Sequence, residues 1–361
     1  MKKWLWLSLL LVLCACSNQS ATSNNNMPVE AEPAPELGSE ERKALNAAAG
    51  EITYMTGFYY AASPPDIQAV LADELGYFEK LGLNVKIVPG LDAEGMKFLA
   101  ANQAQFASSG TPSQVIQSVA QGADIRGIAT FGSVGTSALL VMEDSTIYAP
   151  EDLKGKRVGY HGALPANLIA MLQYNGMSLA DIKGVTIGYD VTVLSSGKVD
   201  ALTVYKSNEP YQLEKLGAKV RLIDPGHFGA ETSFGVLAVN QKWAEQHPAT
   251  VEDFLRALLK AHEFAAAKPE EAIELLAARS ETVYDVEAEL NRWQVELELI
   301  TESRDPSTGI GWQTSEQWER ESKMLFDAKV IEQPLQADQL INNAFLQAIY
   351  DGTNLIWVDE S

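Results

Sequence analysis

The chain has 361 residues, 46% of them hydrophobic and 21% charged, the proportions of a folded body rather than a disordered chain. Lys and Arg number 27 against 48 Asp and Glu, a formal charge of −21; with no surplus of cations to replace counterions on phosphate, nucleic acid is excluded as a partner. The two cysteines, Cys14 and Cys16, leave no thiol elsewhere for a disulfide, a nucleophile or a thiolate metal site. The length suits one large domain or two of medium size.

In chain order, the first segment reads as an address. Met1, Lys2 and Lys3 precede an apolar run over 4–13. About ten residues cannot span a bilayer, which takes about 20, but they form the core of a secretory signal. Leu13-Cys14-Ala15-Cys16-Ser17 resembles a lipobox, which implies a lipoprotein signal peptide over 1–15 and lipid attachment at Cys16. A plain signal peptide that happens to contain Cys is the other reading. Residues 16–50 hold Asn24, Asn25, Asn26, Pro28, Pro33, Pro35 and several acids, with few bulky apolar residues. This composition predicts a flexible tether with a reach of about 30 Å.

The body alternates strand and helix patterns. A β-rich run at 51–58 leads to a helix at 68–78, a strand at 83–88, a helix at 93–101 and a strand at 105–108. A helix at 112–121 opens on Pro112, a favoured first-turn residue, and strands follow at 125–131 and 137–142. After Ser145 the pattern restarts: a strand entered through 153–159, a helix at 165–175, strands at 185–189 and 199–204, a helix at 209–216, and strands at 220–223 and 234–239. From 241 onward the chain is helical, with amphipathic runs at 250–267, 269–278, 285–300, 314–328 and 336–351. Such alternation predicts an α/β fold with mostly parallel sheets covered on both faces. Two α/β segments and a helical tail suggest two lobes, the first from 51–142 and 234–361, the second from 146–232. Hinge crossings are expected near 141–145 and 233–236. In such sheets ligands sit outside the carboxyl ends of the strands, so the residues just after each strand are the candidates.

Residues 75–85, Leu-Gly-Tyr-Phe-Glu-Lys-Leu-Gly-Leu-Asn-Val, resemble the start of the periplasmic substrate-binding proteins of ABC importers. The branch is the one that handles sulfonates, taurine and thiamine precursors. Gln103-Ala104-Gln105-Phe106-Ala107 looks like its second-strand motif, with Gln105 where the family has Asp. Residues 150–159, Pro-Glu-Asp-Leu-Lys-Gly-Lys-Arg-Val-Gly, resemble the start of its second lobe. Gly197-Lys198-Val199-Asp200-Ala201-Leu202, then Tyr205 and Asn208-Glu209-Pro210-Tyr211, resemble the thiamine pyrimidine synthase-like sub-branch, as does Tyr189-Asp190. The general likeness covers about 51–265. It implies a two-lobe periplasmic-binding-protein fold of type II, the venus-flytrap arrangement, with a helical C-terminal tail and no chemistry of its own. The implied partners are a small-molecule ligand, an ABC permease and ATPase, and the membrane through the lipid anchor. The protein would be a monomer, exported and anchored to the bacterial cell membrane, with no cofactor. The implied ligand is a small heteroaromatic solute, a thiamine pyrimidine precursor first. A flavin, a sulfonate or taurine, nitrate, and a sensor role without transport are the alternatives. An enzymatic relative that makes the pyrimidine uses a Cys-rich motif, which this chain lacks. His161, His227, His247 and His262 have no metal-ligand spacing, and no P-loop, G-x-G-x-x-G or G-x-S-x-G occurs.

The candidate ligand contacts each carry a structural alternative. Tyr59 and Tyr60 end the first strand; a flat ligand wants a stacking ring, but two adjacent residues on a strand face opposite ways. Asp66 and Gln68 offer hydrogen bonds to ring nitrogens or an amine, while Asp66 also suits a helix N-cap. Ser108, Ser109 and Thr111 with Gly110 offer hydroxyls and N–H groups at a helix start, or simply make a turn. Tyr160 and His161 hold the matching place in the second lobe, and Tyr189 and Asp190 follow the next strand. Tyr205, Asn208 and Glu209 end the strand at 199–204. A buried Glu209 carboxylate would need a partner, and an amidine-like ligand edge supplies one by charge-assisted bonds. A helix-start acid favoured by the dipole is the other reading. Phe228, Glu231, Thr232 and Ser233 precede the return crossing. Trp243, Trp293, Trp312, Trp318 and Trp357 are expected in the core.

Overall fold

The computed structural model describes residues 34–162, 164–280 and 283–358. The signal peptide, Cys16 and the first half of the expected tether lie outside the described residues. Contacts divide the chain into Met1–Ala34 and Pro35–Ser361, and both sheets belong to the second unit.

The end of the expected tether is a helix. Ser39 accepts the Arg42 N–H at 3.1 Å and caps α1 (Glu40–Ala48), whose first turn carries Glu40 and Glu41, as the helix dipole favours. Arg42 and Asn46 are buried. Arg42 donates to Asp253 (Nε to Oδ2, 2.8 Å), to Glu252 and to the Ala249 carbonyl. Asn46 donates to Asp253 and to the Leu81 carbonyl. The tether reading of 16–50 is therefore corrected for its last part. The helix docks through charge-assisted hydrogen bonds rather than bulky apolar residues, so a search for apolar residues misses it.

The first lobe follows with β1 (Glu51–Met55), α2 (Asp66–Glu74), α3 (Tyr77–Lys80), β2 (Asn84–Val88), α4 (Asp92–Ala100), β3 (Phe106–Ser109), α5 (Pro112–Ala120) and β4 (Ile125–Gly132). The second has β5 (Ser137–Met142), β6 (Arg157–His161), α6 (Ala166–Tyr174), β7 (Lys183–Ile187), α7 (Thr192–Ser195), β8 (Ala201–Tyr205), α8 (Glu209–Lys215) and β9 (Val220–Ile223). The chain returns through β10 (Phe234–Asn240) and continues as α9 (Gln241–Gln246), α10 (Pro248–Ala267), α11 (Pro269–Arg279), α12 (Val286–Ser303) and α13 (Ser315–Asp327). It closes with α14 (Ala337–Leu340), α15 (Ala344–Ile349) and the short strands β11 (Tyr350–Asp351) and β12 (Asn354–Leu355).

The two large sheets share one plan, in the orders β2-β1-β3-β10-β4 and β7-β6-β8-β5-β9. In each, the strand that has just crossed from the other lobe is the antiparallel one: β10 against β3 and β4, β5 against β8 and β9. Both crossings therefore lie at the edge where the parallel strands end. The strand at 137–142, expected in the first lobe, pairs in the second sheet, so the first crossing runs over 133–136 rather than 141–145. Two apolar runs separated by four residues look alike whether they pair with each other or with different sheets. Glycines let the crossings lie against each other. A Cβ on Gly132 would stand 1.8 Å from the Phe234 ring, and one on Gly135 would stand 2.0 Å from Thr232 Oγ1.

Apolar side chains cover both faces of each sheet, as expected for largely parallel strands. In the first lobe Phe106 and Phe254 stack at 3.9 Å. Trp293 and Trp318 are fully buried, Trp243 nearly so, and Trp312 and Trp357 pack on the same core. The later helices do more than form a tail. α12 packs on β4 and α11 in the first lobe and reaches α8 in the second, while α13 packs on both α5 and α6. The lobes are thus strapped together on both sides. The amphipathic run at 336–351 is broken, because Ile341 bridges to Gly127 and the Asn342 N–H donates to the Gly127 carbonyl, which takes these residues out of helical geometry.

Candidate ligand-binding cleft

The turns at the carboxyl ends of the strands bring the candidate residues to the edge where the lobes meet. On the first lobe, the turn after β1 is pinned to the turn after β2. The Tyr59 N–H donates to the Gly90 carbonyl and the Asp92 N–H to the Gly57 carbonyl. Tyr59 has φ 49°, a left-handed conformation uncommon for a bulky residue. Its ring is 55% exposed and packs edge-on to Phe58, equally exposed, at 5.6 Å. Tyr60 turns inward against the core, and its carbonyl accepts the Tyr284 hydroxyl. Of the two adjacent tyrosines, one is open and one packed.

Asp66 starts α2 but does not cap it. Its carboxylate reaches back to the end of β1, accepting the Tyr54 hydroxyl at 2.6 Å and the Gly57 and Phe58 N–H groups. Burial raises it to about 6 in spite of those bonds. It braces the turn that carries Phe58 and Tyr59. Gln68 is corrected outright: it is fully buried and pairs with His262 Nδ1 at 3.0 Å, between α2 and α10. Burial holds that histidine down at about 4, hence neutral. Ser108 is buried against Gly57, Tyr54 and Asp66. Ser109 donates to the Thr111 carbonyl, and Thr111 precedes α5 with its side chain making no cap bond. The Gly110 N–H lies within reach of the Asp92 carboxylate, as does the Ala93 N–H at 2.8 Å. A protein acid already occupies this helix-start loop.

On the second lobe, Tyr205 ends β8 with its ring 52% exposed. Burial of its surroundings raises its phenol, and the charges of Asp92 from the first lobe and of Glu209 add to this. Glu209 is 6% exposed and accepts the Tyr205 N–H at 2.8 Å through Oε2. Asn208 accepts from Gln212 and from Arg292. Farther along the edge, His161 stacks on Tyr189 with centroids 5.3 Å apart, and neither ring nitrogen has a hydrogen-bond partner. Tyr189 is 90% exposed. Tyr160 lies instead over Gly184 of the neighbouring strand, and Asp190 holds its own turn by accepting from the Thr192 N–H and hydroxyl.

Sequence reasoning missed the flank supplied by α12. Glu289 accepts the Ala62 N–H of the first lobe, and Arg292 links Glu289 to Asn208 of the second. Glu296 accepts the Ser63 and Ser207 hydroxyls. Their spacing, i, i+3 and i+7, marks one helix face, but nothing local says that this face meets the cleft. Asp92 was legible: it follows β2 and starts a helix, the same position that singled out Ser108 to Thr111. Phe58 stands beside the tyrosines and was passed over for them.

A cavity of about 340 Å³ abuts both crossings, lined by Ser133, Gly135, Asp224, His227, Thr232 and Arg320 among others. Its charges are internally paired, Lys206 with Asp224 and Arg320 with Glu231. At the return crossing the Ser233 N–H and hydroxyl donate to Glu321, which is fully buried on α13 and raised by burial to about 8. Its raised value means that stability is lost as pH rises from the unfolded value toward 8, because only the unfolded chain ionises freely there. Glu321→Gln is therefore expected to stabilise the protein at pH 8, by on the order of 3 kcal/mol, and to change little at pH 5. Thermal unfolding midpoints at the two pH values check this; equal shifts at both would refute it. Among the described residues no cluster of His, Cys, Asp and Glu could hold a metal ion, and no helix is long and apolar enough to cross a membrane.

Two like-ordered sheets, two crossings at their carboxyl edge and aromatic and acidic side chains gathered there define the two-lobe solute-binding fold of periplasmic binding proteins. The chain belongs to the NMT1/THI5-like family, which it matches over residues 64–272, more than half its length. It is 26% identical over 281 residues to the formylaminopyrimidine-binding protein of Halalkalibacterium halodurans, covering 76% of this chain and 84% of that one. A putative thiamine biosynthesis protein of Haemophilus influenzae is 29% identical over 227 residues (62% and 71%). A 4-amino-5-hydroxymethyl-2-methylpyrimidine phosphate synthase of Legionella pneumophila is 23% identical over 238 residues (64% and 75%). Among solved structures, the periplasmic aliphatic sulphonate binding protein SsuA of Escherichia coli superposes with a TM-score of 0.64 at 19% identity, over 81% of this chain and 97% of that one.

Proposed function

We propose that this protein is the solute-binding lipoprotein of an ABC importer and that its solute is a small aminopyrimidine of the thiamine-precursor type. It would hold the solute between the lobes and deliver it to a membrane permease. The observation that carries the reading is the sign of the cleft. Asp92 and Glu209 approach Tyr205 from opposite lobes, and Asp92 already occupies the Gly110 and Ala93 N–H groups that would otherwise receive an anion. Arg292 and Lys206, the nearby cations, are engaged by Glu289, Asn208 and Asp224. A sulfonate or nitrate would meet acids there, whereas an amino-substituted ring offers them donors and offers Phe58, Tyr59 and Tyr205 a flat face. The formylaminopyrimidine-binding relative supports the same class of ligand. The family also includes synthases; the absence of Cys after Cys16 favours binding over that chemistry. Export and lipid attachment rest on the Lys2 to Cys16 segment.

The test is a thermal-shift and calorimetric panel of aminopyrimidines, thiamine, riboflavin, taurine, alkanesulfonates and nitrate. An aminopyrimidine is expected to raise apparent stability by about 2.7 kcal/mol at a hundredfold excess over its Kd. A shift with an alkanesulfonate and none with any aminopyrimidine would overturn the reading of the cleft.

A further inference from the structure

One acid on the α12 strap touches both lobes and belongs to neither sheet. Glu296 is 3% exposed. A single oxygen, Oε1, accepts the Ser63 hydroxyl of the first lobe at 2.9 Å and the Ser207 hydroxyl of the second at 2.7 Å. The other oxygen, Oε2, is buried with no hydrogen-bond partner. Ser63 lies in the turn that leads to Asp66, and Ser207 lies in the turn between Tyr205 and Glu209. The same carboxyl group therefore joins the two turns that carry the candidate ligand contacts. We propose that Glu296 is the clasp of the closed state and that it works protonated, so that the lobes take up a proton as they close.

The physical argument is one of desolvation. A buried carboxylate with one oxygen unpartnered is costly, and a neutral carboxyl group is much less so. Arg292 on the same helix face lowers the cost by its charge, but its hydrogen bonds go to Glu289 and Asn208. Glu289, also on α12, acts in the opposite sense, and Tyr205 and Ser207 face the group from the second lobe. The balance leaves Glu296 at about 7, with burial the largest cause. α12 packs with the first lobe, so opening would keep Ser63 and withdraw Ser207, admit water and return the carboxyl group toward its ordinary range. A group whose value is higher in the closed state favours closure below that value, and the advantage is lost as pH rises through about 7. Glu296 is thus a positioning residue, acting on ligand through the turns it joins. The inference rests on the reading of the cleft as one that closes on a solute.

The test needs no ligand. Spin labels on Lys97→Cys and Lys198→Cys, one exposed site on each lobe, in the full chain with Cys14→Ser and Cys16→Ser, report the distance between lobes. The ratio of short to long distances is expected to be at least tenfold higher at pH 5.5 than at pH 8. Glu296→Gln, which keeps an acceptor for both serines without the charge, is expected to give the short distance at both. Glu321 titrates equally in both proteins, so the difference between them isolates Glu296. A distance distribution that does not change with pH in the parent, or a Glu296→Gln variant that follows the parent, would overturn the proposal. Either result leaves the aminopyrimidine reading standing, since that is decided by the solute panel.

Discussion

Glu209→Ala is expected to weaken aminopyrimidine binding by about 30-fold to several-thousand-fold, the range of 2–5 kcal/mol seen when one partner of a buried, hydrogen-bonded charge pair is removed. The carboxylate is nearly buried at the end of β8, and one of its oxygens is already held by the Tyr205 N–H. That bond gives Glu209 a local role, orienting the Tyr205 turn, which competes with the ligand role. Glu209→Gln separates the two. The amide oxygen can still accept the Tyr205 N–H, while the negative charge is gone. Binding by the Gln variant as weak as by the Ala variant would mean that the charge meets the ligand. Recovery of parental affinity in the Gln variant would assign Glu209 to the backbone and shift the recognising acid to Asp92. Calorimetric Kd values for the three proteins decide between these.

The largest loss of stability is expected from Asp253→Ala. Asp253 is fully buried and accepts from Arg42, Asn46 and Arg256, the last at 2.6 Å. Its removal leaves two guanidinium groups in the interior with too few acceptors, a situation worth about 3–5 kcal/mol. Burial already holds Arg256 below its ordinary value even with Asp253 present. Arg42→Ala should cost less, because Asp253 keeps Arg256 and Asn46. Urea midpoints measured for both variants test the order. The Arg42 variant should also lose the docking of α1, which limited proteolysis near Ser39 would reveal. A midpoint for Asp253→Ala equal to that of the parent would mean that the cluster contributes nothing net.

The sequence by itself determined the class of fold. Strand and helix periods, which depend on residues a few positions apart, placed β1 to β10 and α2 to α13 within a few residues of where they lie. The rule that ligands sit beyond strand ends led directly to Tyr59, Ser108, Tyr205 and Glu209. What was not legible depends on contacts between distant residues. The side of the hinge on which β5 falls is set by its pairing with β8 and β9, and no local pattern encodes a pairing partner. The docking of α1 depends on an aspartate 211 residues away. The role of Gln68 was decided by His262, and the inward face of α12 was decided by two serines from different lobes. Burial is the common physical reason. The sequence names which groups are polar, but only the packed structure decides which lose water and must find a partner inside the protein.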